Sequence, residues 1–151
     1  MKHFTKILCP FDFSEFSEEA IKYAIKLADP TTEITLFNVV QLPYIMDPNG
    51  LAYYDIKEEE VMKSAEEALN KKIETLKASC PDYIFSKDYA VSNDPAEAIL
   101  DKQSKGAYEL VVMGSHGRKG FGRILMGSVS ESVLREANCP VLIIKKVAEK
   151  N

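Results

Sequence analysis

Residues 113–128 read Met-Gly-Ser-His-Gly-Arg-Lys-Gly-Phe-Gly-Arg-Ile-Leu-Met-Gly-Ser. The stretch joins an apolar run at residues 110–113, typical of a buried strand, to a helical pattern that begins at Gly127-Ser128. A strand that leads through a glycine-rich loop into a helix brings bare backbone N–H groups and the positive end of a helix dipole together. The stretch therefore predicts an anion site, and a phosphate group suits it.

Outside this stretch, apolar runs and helical patterns alternate along the chain. Strands are predicted at residues 7–11, 33–40, 83–91, 110–113 and 139–145, with helices between them. The strands are apolar on both faces, as in parallel sheets covered by helices on each side. We therefore predict one α/β domain over residues 1–151, with three α/β/α layers and a five-stranded parallel sheet in the order 3-2-1-4-5. Residues 41–57 are predicted to be irregular, and a loop of this length is often functional.

The helix starts are marked by capping residues, which in two cases are followed by a glutamate three positions later. The predicted caps are Ser14 or Ser17 for the first helix, Asp94 for the third and Ser128 for the fourth.

Composition excludes several classes of protein. A formal charge of −4 disfavours a dedicated nucleic-acid-binding protein, and no apolar stretch approaches the length of a membrane span. The three cysteines are far apart, and the two histidines lack metal-site spacing, so neither a disulfide framework nor a zinc site is expected. The N-terminus does not resemble a signal peptide. We expect a cytoplasmic protein with reduced thiols.

The predicted strand order brings two distant segments together. Ligands bind beyond the carboxyl ends of the strands where the order reverses, here between the first and fourth strands. Pro10-Phe11-Asp12 ends the first strand, and Gly114 begins the loop after the fourth. Asp12 can therefore accept hydrogen bonds from ribose hydroxyls or help to hold a phosphate-bound Mg²⁺ ion.

Plainer structural roles stay open for the same residues. The glycines can simply form a tight turn, and Asp12 can cap the first helix. The basic side chains of Arg118, Lys119 and Arg123 can neutralise phosphate or remain solvated. His116 is expected to form hydrogen bonds within the loop rather than to act as a base, because no carboxylate is placed to orient it.

Two common phosphate motifs are absent. Residues 122–128 fit the outline of a P-loop but lack its lysine, which disfavours efficient phosphoryl transfer. The first strand is not followed by the GxGxxG of a dinucleotide site.

The spacing Gly114-x2-Gly117-x9-Gly127-Ser128 resembles the G-2x-G-9x-G-[ST] signature of ATP-binding universal stress proteins. Residues 7–14 and 140–144 resemble the first and last strands of that family. The resemblance implies a Rossmann-like fold of the adenine nucleotide alpha hydrolase type, and binding of ATP, ADP or AMP, with or without Mg²⁺. It places Pro10 and Asp12 at the ribose, the backbone of Val39 and the side chain of Met113 at adenine, and the signature residues at the phosphates. It also implies homodimers joined through Val141–Ile144. The residues expected around the nucleotide are Pro10, Phe11, Asp12, Val39, Met113, Gly114, His116, Gly117, Arg118, Gly127, Ser128, Val129 and Ser130.

Three functions follow as hypotheses. The first is a nucleotide-dependent regulator or scaffold in the stress response, with protein partners that the sequence does not identify. The second is an enzyme on the same site, a slow ATPase or a nucleotidyl or phosphoryl transferase; we assign no catalytic residue and expect at most weak ATP hydrolysis. The third is a nucleotide-independent interaction module that uses Tyr44, Tyr53 and Tyr54 of residues 41–57.

Overall fold

A computed structural model of the chain describes residues 3–46, 48–50, 52–54, 57–117 and 126–145. The elements follow one another as β1 (Lys6–Pro10), α1 (Glu15–Leu27), β2 (Glu33–Val40), β3 (Tyr44–Met46), β4 (Ala52–Tyr54), α2 (Glu58–Ser79), β5 (Ile84–Val91), α3 (Pro95–Lys105), β6 (Leu110–Gly114), α4 (Ser128–Glu136) and β7 (Val141–Ile144).

The main sheet has five strands in the order β5-β2-β1-β6-β7, and all four pairings are parallel. This is the predicted order 3-2-1-4-5, so the sequence-based topology is confirmed. β1 lies at the centre between β2 and β6, and the chain leaves it toward β2 while it later returns on the other side through β6. The reversal of strand order therefore lies between β1 and β6, at the carboxyl ends that were predicted to meet.

Two hydrophobic clusters cover the two faces of this sheet. One lies under α1 and α2 and includes Ile7, Leu36 and Val112, which are all buried. The other lies under α3 and α4 and includes Leu8 and Val111. Neighbouring residues of one strand thus enter opposite clusters, which explains why the strands are apolar on both faces and why the sheet has helices on each side.

The helix starts agree with two of the three capping predictions. The hydroxyl of Ser14 accepts the N–H of Ser17 at 3.2 Å, so Ser14 rather than Ser17 caps α1. The Oδ1 of Asp94 accepts the N–H of Glu97 at 3.0 Å. The prediction for α4 was wrong by one residue, because Gly127 occupies the capping position and offers no side chain there.

The segment at residues 41–57 is more regular than predicted. It contains the antiparallel pair β3–β4, with Met46 opposite Ala52. Each strand has three residues, which is too short for an alternating pattern to be recognised in the sequence. Gly50 adopts φ 81°, a left-handed conformation that turns between antiparallel strands often require.

No helix in the described ranges is long and apolar enough to cross a membrane.

Candidate functional site

The chain turns from β1 into α1 within residues 11–14. The N–H of Phe11 still donates to the carbonyl of Phe37 at 2.8 Å, so pairing with β2 continues one residue past β1. Phe13 has φ 63°, a conformation that costs a non-glycine residue about 1–3 kcal/mol. The Oδ1 of Asp12 accepts the N–H of Ser14 at 3.0 Å and closes the turn. Asp12 is therefore held in a defined position at the carboxyl end of the sheet, and it does not cap α1.

The carboxylate of Asp12 lies against the glycine loop. A Cβ atom built on Gly117 would lie 2.8 Å from Oδ2 of Asp12, and no other non-neighbouring atom of the described residues lies within 4 Å of it. Gly117 follows β6, so the adjacency of β1 and β6 accounts for the approach. The structure thus brings together the two segments that the strand order predicted to meet.

Gly114, the last residue of β6, has a packing role. A Cβ atom at this position would lie 2.6 Å from the Cβ of Phe16 and 2.9 Å from its carbonyl carbon. The first turn of α1 therefore rests directly on the end of β6. The sequence analysis expected Gly114 near the phosphates, and the structure adds that a side chain at this position would collide with α1.

Ser115 joins the two ends of the glycine loop. Its N–H donates to the carbonyl of Ile144 in β7 at 2.8 Å. Its carbonyl accepts the N–H of Gly127 at 2.7 Å and the hydroxyl of Ser130 at 2.8 Å. The Ser130 hydroxyl is buried and also lies 3.0 Å from the carbonyl of Gly127, so its proton is already engaged within the protein. The start of α4 is thereby fixed against the end of β6.

The first turn of α4 offers its backbone amides at this place. Gly127 precedes the helix without a capping side chain, and the N–H of Glu131 makes the first helical bond to its carbonyl at 3.0 Å. The amides before Glu131 in a helix have no intrahelical acceptor, and they carry the positive end of the helix dipole. Ser128, the first helical residue, is exposed. This is the arrangement that binds an anion.

His116 does not belong to an acid–base pair among the described residues. Its Nδ1 lies 3.0 Å from the hydroxyl of Ser115, and its ring packs on that of Phe16 with centroids 5.3 Å apart. Its Nε2 is buried without a hydrogen-bond partner in the described part of the chain. Cys9 on β1 is no nucleophile either, because burial raises the pKa of its thiol to about 12.

The residues expected at the adenine and ribose differ in exposure. Val39 is half-buried and packs against the cluster under α3 and α4, whereas Met113 and Pro10 are buried. A small cavity of about 230 Å³ lies between the starts of α3 and α4. It is lined by Asn93, Asp94, Pro95, Ala96, Ser128, Val129 and Ser132. Two of the predicted site residues therefore border open space.

A larger groove of about 1060 Å³ runs along α3 and β5, with Ser132 and Glu136 of α4 at one side. Its described lining includes neither Asp12 nor Gly117, and it shares Asp94, Ala96 and Ser132 with the small cavity. Lys102 and Asp88 both line this groove and form an ion pair, with Nζ of Lys102 2.6 Å from Oδ2 of Asp88. Burial acts to raise the pKa of Asp88, but hydrogen bonds from Lys102 and the Tyr89 N–H, together with the positive charges of Lys102 and Lys87, outweigh it and lower that pKa below its usual value.

Several predicted residues lie outside the described ranges: Arg118, Lys119, Gly120, Gly122 and Arg123. In the ranges that are described, no group of three or more histidine, cysteine, aspartate or glutamate side chains could hold a metal ion.

Sequence reasoning missed three residues that shape the site. Ser115 and Phe16 were not singled out, although Ser115 stands inside the quoted glycine stretch. Asn38 was also missed; its side-chain Nδ2 donates to the carbonyl of Phe11 at 2.8 Å. No local pattern could reveal Asn38, because its partner lies on another strand.

Comparison with known proteins identifies the family of this chain. Residues 3–145 match the universal stress protein family. The Universal stress protein MJ0577 of Methanocaldococcus jannaschii is 33% identical over 157 aligned residues, which cover 95% of this chain and 96% of that protein.

Solved structures of universal stress proteins have a similar fold. The structure of MJ0577 has a TM-score of 0.76 and 28% identity, and the match covers 98% of this chain and all of that one. A universal stress protein of Archaeoglobus fulgidus in complex with dAMP has a TM-score of 0.61 at 19% identity, covering 96% of this chain and 100% of that one. A universal stress protein in complex with cAMP has a TM-score of 0.67, also at 19% identity, covering 95% and 98%. At 19% identity the likeness shows the shared fold alone. From the match over residues 3–145 and the relative at 33% identity, we conclude that this chain belongs to the universal stress protein family.

Proposed function

We propose that this chain binds an adenine nucleotide, ATP or else ADP or AMP, between the Asp12 turn and the glycine loop. Binding would make it a nucleotide-dependent regulator or scaffold of the stress response in the cytoplasm. The observation that carries the proposal is the contact between Asp12 and Gly117 beside the uncapped start of α4. An acceptor for ribose hydroxyls and a set of donors for phosphate then stand side by side.

Each part of the nucleotide has a matching group. The amides of Ser128 and Val129 are the donors for the phosphates, and the hydroxyl of Ser128 adds one more. Gly127 contributes by leaving the helix start without a capping side chain. Ser130 supports them by fixing the loop through Ser115. Asp12 accepts from the ribose, next to Pro10. The backbone of Val39 and the neighbourhood of Met113 receive the adenine, and Arg118 and His116 complete the loop side of the site.

The relatives support an adenine ligand. The dAMP and cAMP complexes are both of universal stress proteins with this fold. Both ligands contain adenine, a ribose or deoxyribose and one phosphate. ATP, and a Mg²⁺ ion held between Asp12 and the phosphates, are further steps of the proposal.

Efficient catalysis is not part of the proposal. The loop has no P-loop lysine, and His116 has no carboxylate partner among the described residues. Because His116 lacks an orienting carboxylate among the described residues and the loop lacks a lysine for the phosphates, the site favours nucleotide binding over nucleotide hydrolysis. We expect ATP hydrolysis to be weak at most.

We also propose that the protein is a homodimer joined through β7. In the sheet formed by the described residues this strand lies at the edge, next to β6. Its residues Val141, Leu142 and Ile143 are apolar but half-buried, and Leu134 on the adjacent α4 is 46% exposed. An apolar edge strand of this kind is normally covered.

Isothermal titration with ATP, AMP and GTP tests the ligand. We expect saturable binding of ATP and AMP. GTP should bind more weakly, because it has the same phosphates as ATP but carries guanine in place of adenine. Asp12→Ala should weaken ATP binding, whereas Glu74→Ala, a change on the exposed face of α2, should not. Absence of saturation by any adenine nucleotide at millimolar concentration would refute the proposal.

A further inference from the structure

Asn38 is a buried polar residue beside the proposed site. It lies in β2, is 8% exposed, and donates from Nδ2 to the carbonyl of Phe11 at 2.8 Å. The N–H of Phe11 donates in turn to the carbonyl of Phe37 at 2.8 Å. Both backbone groups of the residue before Asp12 are therefore held by β2.

The segment that Asn38 holds is under strain. Phe13, two residues after Phe11, has a left-handed backbone that non-glycine residues adopt only where the surroundings enforce it. On the far side of Asp12, its own carboxylate accepts the N–H of Ser14. Asp12 is thus fixed on one side by the Asn38 amide and on the other by its bond to Ser14.

The Asn38 bond also has no simple substitute. Buried carbonyl groups need a donor. Phe11 belongs to the cluster under α1 and α2 and is buried. If the amide were lost, the Phe11 carbonyl would have to turn toward water, and the Asp12 turn would move with it.

We propose that Asn38 is a positioning residue for Asp12: its amide fixes the strand end so that the Asp12 carboxylate lies beside Gly117, oriented to accept from the nucleotide. That the ligand is a nucleotide rests on the proposed function, whereas the contacts of Asn38, Phe11 and Asp12 do not depend on it.

A double-mutant cycle with ATP tests the coupling. Asn38→Leu keeps the size of the side chain and removes its donor, and we expect it to weaken ATP binding about tenfold. In Asp12→Ala the same change should have almost no further effect, because Asn38 acts through Asp12. If the two losses multiply in the double variant, Asn38 does not act through Asp12 and the proposal is wrong.

Two variants serve as controls. Thr35→Val removes two hydrogen bonds of the same strand, one of 2.7 Å with the Ser86 hydroxyl and one of 3.1 Å from the Tyr108 hydroxyl, away from Asp12, and should leave ATP affinity unchanged. Asn38→His keeps a donor, since its Nδ1 is as many bonds from Cα as the amide nitrogen, and should bind within about threefold of wild type. Loss of binding in Thr35→Val, or a full loss in a folded Asn38→His, would contradict the proposal.

Hydrogen exchange without nucleotide provides an independent test. In Asn38→Leu we expect the Ser14 amide to exchange at least about tenfold faster, with the Val111 amide of β6 unchanged. Asn38→Ala replaces Asn38→Leu if the latter does not fold. Equal protection of Ser14, or equal acceleration at Val111, would overturn the positioning role. If wild type binds no ATP, the proposed function fails, yet the exchange experiment still tests Asn38.

Discussion

The contact between Gly117 and Asp12 makes Gly117→Ala a selective perturbation of the proposed site. The added Cβ would lie 2.8 Å from Oδ2 of Asp12, inside the 3.4 Å at which ordinary contact begins. The carboxylate must therefore retreat by about 0.6 Å, the difference between these distances. Among the described residues the methyl group meets only the end of a side chain, so we expect the free energy of unfolding to change by less than about 1 kcal/mol.

The expected effect on binding is larger. A hydrogen bond to a charged acceptor contributes about 1.5–3 kcal/mol, so a displaced Asp12 should weaken ATP binding about 10- to 150-fold. Isothermal titration gives the affinity, and urea unfolding of the same samples gives the stability.

Gly114→Ala is the matched control. Its Cβ would lie 2.9 Å from the carbonyl carbon of Phe16, and this backbone of α1 cannot move alone. We expect a loss of about 1–3 kcal/mol in unfolding free energy, as for other overpacked positions. The reasoning is refuted if Gly117→Ala binds ATP as wild type does, or if it destabilises the protein as much as Gly114→Ala.

Three further predictions use other parts of the structure. Cys9 should resist alkylation in the native protein at neutral pH, because burial raises the pKa of its thiol to about 12, and it should react at the rate of unfolding when followed by mass spectrometry; rapid labelling in folded protein would contradict this. Ser130→Ala should lower the unfolding free energy in urea by about 1 kcal/mol, since the Ser115 carbonyl keeps its second donor; an unchanged midpoint would show that the bond contributes nothing. The pair of Asp88 and Lys102 should stabilise the fold by less than about 1 kcal/mol, because Asp88 is half exposed. Because folding lowers the pKa of Asp88, this contribution is present above the pKa of Asp88 in the unfolded chain and is lost as pH falls through its pKa in the folded protein. Urea unfolding should therefore distinguish wild type from Asp88→Asn at neutral pH but not in strong acid. A stability difference that persists in strong acid would exclude the ion pair as the cause of that difference.

The alternation of strands and helices could be predicted from the sequence because its signals are local. Asp94 and Glu97 stand three residues apart and mark the start of α3 within one turn. Continuous apolar runs indicate buried parallel strands, and their alternation with helices predicted a doubly wound sheet in the order that the structure has. The glycine spacing at residues 114–128 likewise located the loop before α4.

Contacts between segments that are distant in the chain depended on the folded structure. Gly114 proved to allow the close approach of Phe16 of α1, and Gly127 rather than Ser128 occupies the capping position of α4. Asn38 acquired its importance from a carbonyl 27 positions away in the chain. Spacing within a segment reports on hydrogen bonds along one helix or turn, but it carries no information about which backbone groups two strands bring within 3 Å of each other.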